Sequence, residues 1–188
     1  MDGLDKLDKL DFDTACTSHG PVLQQELQKA ISLYREWSAP VERGKNVAIF
    51  YVSAYGYTRE LAKTIRDEIE AAGVKAKAYD IIKTDRKVLL DAVEGSTAIM
   101  FGSPTINRDA LKPVWDLISS MDAITNKGKL CFIFGSYGWS GEACKALEER
   151  VKTLGLKLFG DSLRVVFKPS DEEIAKAKEI ARQFVETI

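Results

Sequence analysis

The strongest constraint on this chain is the run Val47-Ala48-Ile49-Phe50-Tyr51-Val52, six apolar residues with no polar interruption. A half-exposed strand alternates, whereas an unbroken β-branched and aromatic run suits a strand covered on both faces, as in a parallel sheet. Parallel neighbours need crossovers, and the next segment supplies one. Leu61, Ile65 and Ile69 recur every four residues along one helical face, and Gly73 stands where that helix would stop. The unit then repeats. Strands are predicted over Lys75 to Ile81, Thr97 to Phe101, Leu130 to Phe134 and Leu163 to Phe167. Helices are predicted from about Lys87 to Val93, Ala110 to Met121, Glu142 to Leu154 and Asp171 to Thr187, the last opening on Asp171 and Glu172 as a helix N-terminus prefers. Five strands alternating with five helices predict an α/β doubly wound five-stranded parallel sheet. The length of about 140 residues suits strand order 2-1-3-4-5 better than the longer dinucleotide-binding fold.

Residues 1–40 stand outside this rhythm. Leu4, Leu7 and Leu10 with interleaved Asp and Lys predict a short amphipathic helix, Ser18-His19-Gly20-Pro21 a loop, and Leu23 to Trp37 a second helix. Ala39-Pro40-Val41-Glu42-Arg43-Gly44 reads as a linker. The first forty residues carry seven acids and four bases, and the remaining 148 sum to +2, so an N-terminal extension over 1–40 and a main domain over 41–188 are expected. The whole chain has 27 basic and 28 acidic residues, a balance that gives no electrostatic case for nucleic acid or an anionic membrane as partner. Cys16, Cys131 and Cys144 are odd in number and lack C-x-x-C spacing, which suggests neither a disulfide framework nor a zinc site and fits a reducing cytoplasm. The start has no basic and apolar export signal, and no apolar run approaches the ~18 residues of a membrane span, so a cytoplasmic, non-membrane chain is expected.

Three strands end alike, at Tyr51-Val52-Ser53, Phe101-Gly102-Ser103 and Phe134-Gly135-Ser136. In the order 2-1-3-4-5 these are neighbours, and their carboxyl ends line the crevice where such sheets bind ligands. The first loop, Ser53-Ala54-Tyr55-Gly56-Tyr57-Thr58, runs directly into a helix. Free amides there, with the Ser53 and Thr58 hydroxyls and the close approach that Gly56 permits, would take a monophosphate without Lys or Arg. The plainer alternative is that Thr58 caps the helix and Gly56 turns the chain. The second loop, Ser103-Pro104-Thr105-Ile106-Asn107, and the third, Ser136-Tyr137-Gly138-Trp139-Ser140-Gly141, lie where the rest of a nucleotide would extend. An aromatic ring there covers a flat tricyclic ligand, and Thr105 and Asn107 read its polar edge, which describes a flavin pocket. Trp139 and Tyr137 could instead pack in a core.

Together the three loops resemble the flavodoxin domain of flavodiiron proteins, also called A-type flavoproteins, from about Val47 to the C-terminus. The resemblance implies a flavodoxin-like fold whose three loops hold the FMN phosphate, the ribityl chain and the isoalloxazine ring in turn. It also implies a head-to-tail homodimer in which electrons pass from rubredoxin or a similar carrier to a diiron centre on another subunit. Cys16-Thr17-Ser18-His19-Gly20-Pro21-Val22 and Tyr34-Arg35-Glu36-Trp37 resemble the last stretch of the family's metallo-β-lactamase-like domain, where the histidine matching His19 would ligate iron. His19 is the only histidine in the chain, and a diiron site needs several His and carboxylate ligands, so no metal site and no complete oxygen or nitric oxide reduction are expected of this chain. No residue is expected to act as acid or base. Two other readings are a flavin reductase that oxidises NAD(P)H, which lacks a second G-x-G-x-x-G in its support, and a cofactor-free interaction module.

Overall fold

In the computed structural model, which describes residues 2–39 and 44–188, the chain divides into two units, Met1–Glu42 and Arg43–Ile188. The first holds helix α1 (Asp2–Leu7), strands β1 (Ala15–Cys16) and β2 (Val22–Leu23), and helix α2 (Leu27–Ser38). Helix α1 stops short of Leu10, which is exposed. The helix expected from Leu23 begins at Leu27, because Val22 and Leu23 pair antiparallel with Cys16 and Ala15 on either side of the expected Ser18–Pro21 loop. Backbone groups used in a ladder cannot also open a helix. Leu27 is buried, while Tyr34 and Trp37 are exposed and meet edge to face at 5.6 Å. Of the expected linker, residues 40–43 lie outside the described residues.

The second unit runs β3 (Asn46–Tyr51), α3 (Tyr57–Ala71), β4 (Lys75–Asp80), α4 (Arg86–Gly95), β5 (Ala98–Gly102), β6 (Thr105–Ile106), β7 (Asp109–Ala110), α5 (Lys112–Ser119), β8 (Leu130–Tyr137), α6 (Glu142–Thr153), β9 (Lys157–Leu158), β10 (Leu163–Val166) and α7 (Asp171–Thr187). The main sheet has the order β4-β3-β5-β8-β10 and every pairing in it is parallel, which is the predicted flavodoxin-like 2-1-3-4-5 arrangement. The final strand is broken. Lys157–Leu158 pairs with the start of β8, and Leu163–Val166 with its end.

The unbroken apolar runs have the consequence foreseen for them. On one face Ala48, Phe50, Ile99, Phe101 and Ile133 pack under α4, α5 and α6 through Leu89, Val93, Val114, Ile118 and Leu147. On the other, Val47, Ile49, Met100, Phe132 and Phe134 pack under α3 and α7 through Leu61, Ile65, Ile69, Ala177 and Phe184. Each fully buried aliphatic or aromatic side chain contributes roughly 1.5–3 kcal/mol. Helix α7 opens on a capping box in which the Ser170 hydroxyl accepts from the Glu173 amide and the Glu173 carboxylate from the Ser170 amide. Cys131 and Cys144 are buried free thiols. Burial pushes both upward, Cys144 to about 12, so neither forms thiolate near neutral pH. Among the described residues no helix is long and apolar enough to cross a membrane.

Candidate functional site

Strand β3 delivers the chain into the first loop at the carboxyl edge of the sheet. Gly56, at φ +94°, turns it into α3 in a left-handed conformation that side chains with a Cβ rarely adopt. The hydroxyl that organises this turn belongs to Ser53, which accepts from the Gly56 amide at 3.1 Å and the Arg59 amide at 3.2 Å. The Thr58 hydroxyl is not the cap. It is buried and lies 3.0 Å from the Ser136 hydroxyl, tying the start of α3 to the end of β8. By helix geometry the Tyr57 and Thr58 amides have no carbonyl partner within α3, and the positive end of the helix dipole lies there. Tyr55, Gly56, Tyr57, Arg59, Glu60 and Lys63 line a shallow hollow beside these amides.

The second loop leaves β5 through Ser103, which is fully buried. Its hydroxyl donates to the Pro104 carbonyl at 2.8 Å and accepts from the Leu111 amide at 3.0 Å. Ser103 therefore shapes the loop from beneath. Beyond it, β6 and β7 form a small hairpin turned by Asn107 and Arg108, which explains why α5 starts at Lys112 and not at Ala110. The Thr105 hydroxyl accepts from the Ala143 amide at the start of α6, at 3.3 Å, and so links the second loop to the helix that follows the third. In the third loop Tyr137 is half-buried and Trp139 is 93 % exposed, so Trp139 is no core residue. Its ring meets Phe167 edge to face at 6.1 Å. Gly138 lies directly under Phe167, where a Cβ would come within 2.7 Å of the ring.

These loops enclose one cleft of about 350 Å³, a volume typical of small-molecule sites. Tyr55 and Tyr57 of the first loop line it, with Pro104, Thr105, Ile106 and Asn107 of the second and Ser136, Tyr137, Gly138 and Trp139 of the third. Ser53, Ala54, Gly56, Thr58, Ser103 and Gly141 lie outside its lining. Gly56 faces the adjoining hollow. Three further residues line the cleft without having been singled out as site residues: Arg108, Ser140 and Phe167. Phe167 follows the fifth strand at the same edge of the sheet, so the strand order already carried a signal for it. Asn107-Arg108 lacks the glycine that marks a two-residue hairpin, and Arg108 gave no signal.

The residues present fit a flavin mononucleotide. The helix N-terminus offers unpaired amides for a phosphate. Trp139 and Tyr55, 93 % and 82 % exposed, offer aromatic surface to a flat ligand. The amides and hydroxyls of the second loop supply polar contacts between them.

Residues 49–180 match the flavodoxin family, and the chain belongs to that family. It is an FMN-binding, electron-transfer domain. Its relatives at 34–41 % identity include flavodiiron, or A-type, flavoproteins. It is 41 % identical to the flavo-diiron protein FprA2 of Clostridium acetobutylicum over 99 % of this chain and 48 % of that protein. To the type A flavoprotein of Rhodobacter capsulatus it is 34 % identical, over 97 % of this chain and 43 % of the relative. The chain thus spans about half the length of the curated relatives it matches. Among solved structures, the metal-soaked Flv1 flavodiiron core from Synechocystis superposes with a TM-score of 0.70 at 32 % identity, over 98 % of this chain and 46 % of that one. An archaeal flavodoxin superposes with a TM-score of 0.69 at 28 % identity, over 76 % of this chain and 97 % of that one.

Proposed function

We propose that the cleft holds FMN with its phosphate on Ser53–Thr58, its ribityl chain along Ser103–Asn107 and its ring against Ser136–Gly141. In this reading the chain passes electrons from a donor protein to an acceptor such as a diiron centre on another chain. The observation that carries the reading is the convergence of three loops, from adjacent parallel strands, on one cleft where Tyr55 and Trp139 stand exposed. When bound, FMN supplies one- and two-electron chemistry, and the protein supplies position, exclusion of water and electrostatics. The Tyr57 and Thr58 amides, with Ala54 and Tyr55 before them, would bind the phosphate, held in place by the Ser53 hydroxyl. Trp139 would cover the ring. Thr105 and Asn107 would meet polar atoms of the cofactor, with Pro104 and Ile106 excluding water beside them. None of these residues donates or accepts a proton in the reaction.

The resemblance supports a rubredoxin-like donor, a head-to-tail homodimer and a cytoplasmic setting, the last in keeping with two buried free thiols. It also supports reading residues 1–40 as the end of a metallo-β-lactamase-like domain and 41–188 as the FMN domain. Among the described residues no group of three or more His, Cys, Asp or Glu side chains is placed to hold a metal ion, and His19 sits in an exposed loop. The test is the absorption spectrum of the purified protein with mass identification of the released cofactor, followed by addition of NADPH. Yellow protein that releases FMN and is not bleached by NADPH is expected. Colourless protein that takes up no FMN would point to an interaction module, and rapid bleaching to a reductase.

A further inference from the structure

The tip of the β6–β7 hairpin is built against local preference. The pairs Thr105↔Ala110 and Ile106↔Asp109 leave Asn107 and Arg108 as a two-residue connection, and both are left-handed, with φ +54° and +61°. In such a turn Asn suits the first position, while glycine is the ordinary occupant of the second. Arg108 keeps a long side chain on a strained backbone at the wall of the cleft. Strain of this kind at a binding site is a reason to ask what the side chain does there.

The Arg108 Nε donates to Glu142 Oε1 at 3.1 Å, joining the hairpin to the first residue of α6. The Arg108 side chain is 84 % exposed and that of Glu142 33 % exposed, and ion pairs this exposed add little to stability. The Ser140 hydroxyl, the Glu142 amide and Arg108 hold the Glu142 carboxyl below its usual range, so it is ionised near neutral pH. Ser140 lines the cleft as well. A positive and a negative group are thus fixed together at the rim of the site, beside a ring that changes charge as it turns over.

We infer that Arg108 and Glu142 form a charge-balanced rim that sets the reduction potential of the bound flavin. Arg108 favours the reduced ring, and Glu142 both positions Arg108 and offsets it. This inference rests on FMN occupying the cleft. Reduction adds two electrons from the donor and one proton from solvent, leaving one negative charge on the ring at mildly alkaline pH. Oxidised flavin has no such charge, so a neighbouring cation or anion acts on one state more than on the other.

The test is spectroelectrochemical titration of FMN-loaded protein, with an electrode supplying the electrons, alongside FMN affinity measured by fluorescence quenching. Arg108→Gln should weaken binding of reduced relative to oxidised FMN roughly threefold, lowering the two-electron midpoint by ~15 mV. Glu142→Gln should shift it upward by a similar amount, Arg108→Lys should stay near the native value, and the double variant should return close to it. All shifts should shrink as salt screens the pair. Single variants that move the potential in the same direction, or that leave it unmoved with FMN bound, would overturn the inference. Failure of the native protein to bind FMN would overturn the underlying cofactor reading instead, and appears before any potential is measured.

Discussion

The two ends of the cleft are made of different material. At the α3 end the groups that matter are backbone amides, Gly56 and buried hydroxyls, and the Thr58–Ser136 contact ties them into the sheet. At the opposite end Trp139 projects almost fully exposed, with Phe167 against its edge. One end is continuous with the fold and the other stands clear of it. Mutations at the α3 end should therefore disturb folding and cofactor binding together, whereas those at the ring end should disturb binding alone.

The largest effect should come from Gly56→Val, which forces a β-branched residue to φ +94° where the loop amides must approach the phosphate. A loss of ~2–3 kcal/mol corresponds to roughly 30- to 150-fold weaker FMN binding in a quenching titration of stripped protein. Retained affinity would place the phosphate elsewhere. Thr58→Val comes next. It leaves the Ser136 hydroxyl buried without its partner, so about 1–3 kcal/mol of stability should disappear in a denaturant titration, and FMN affinity should fall with it. If only stability fell, the coupling between sheet and phosphate loop would be refuted. Trp139→Ala should have the smallest effect on the fold, within about 0.5 kcal/mol as for ordinary exposed sites. It should weaken FMN by roughly 0.5–1.5 kcal/mol through lost ring stacking and change bound-flavin fluorescence. An unchanged spectrum and affinity would remove Trp139 from the ring contact.

The same contrast marks what the sequence made legible. Buried strands announce themselves because Val47–Val52 and Ala98–Phe101 are covered on both sides and tolerate no polar residue. The strand order followed from the alternation of strands and helices, and with it the meeting of three loops at one edge. Less legible was anything decided by a few backbone hydrogen bonds. The β1–β2 ladder shortened a helix whose residues are reasonable helix formers, and the β6–β7 hairpin did the same to α5. Thr58 was the expected cap of α3, and only the turn at Gly56 decides that Ser53 reaches the Arg59 amide instead. Ser103 read as a ligand contact because its hydroxyl follows a strand; in the structure that hydroxyl is already occupied by the loop's own backbone.

The most direct test of the account is a structure of the protein with FMN bound. It should show the phosphate within hydrogen-bonding distance of the Tyr57 and Thr58 amides and the isoalloxazine ring against Trp139. A flavin seated outside the Tyr55–Trp139 cleft, or with its phosphate away from the start of α3, would contradict it.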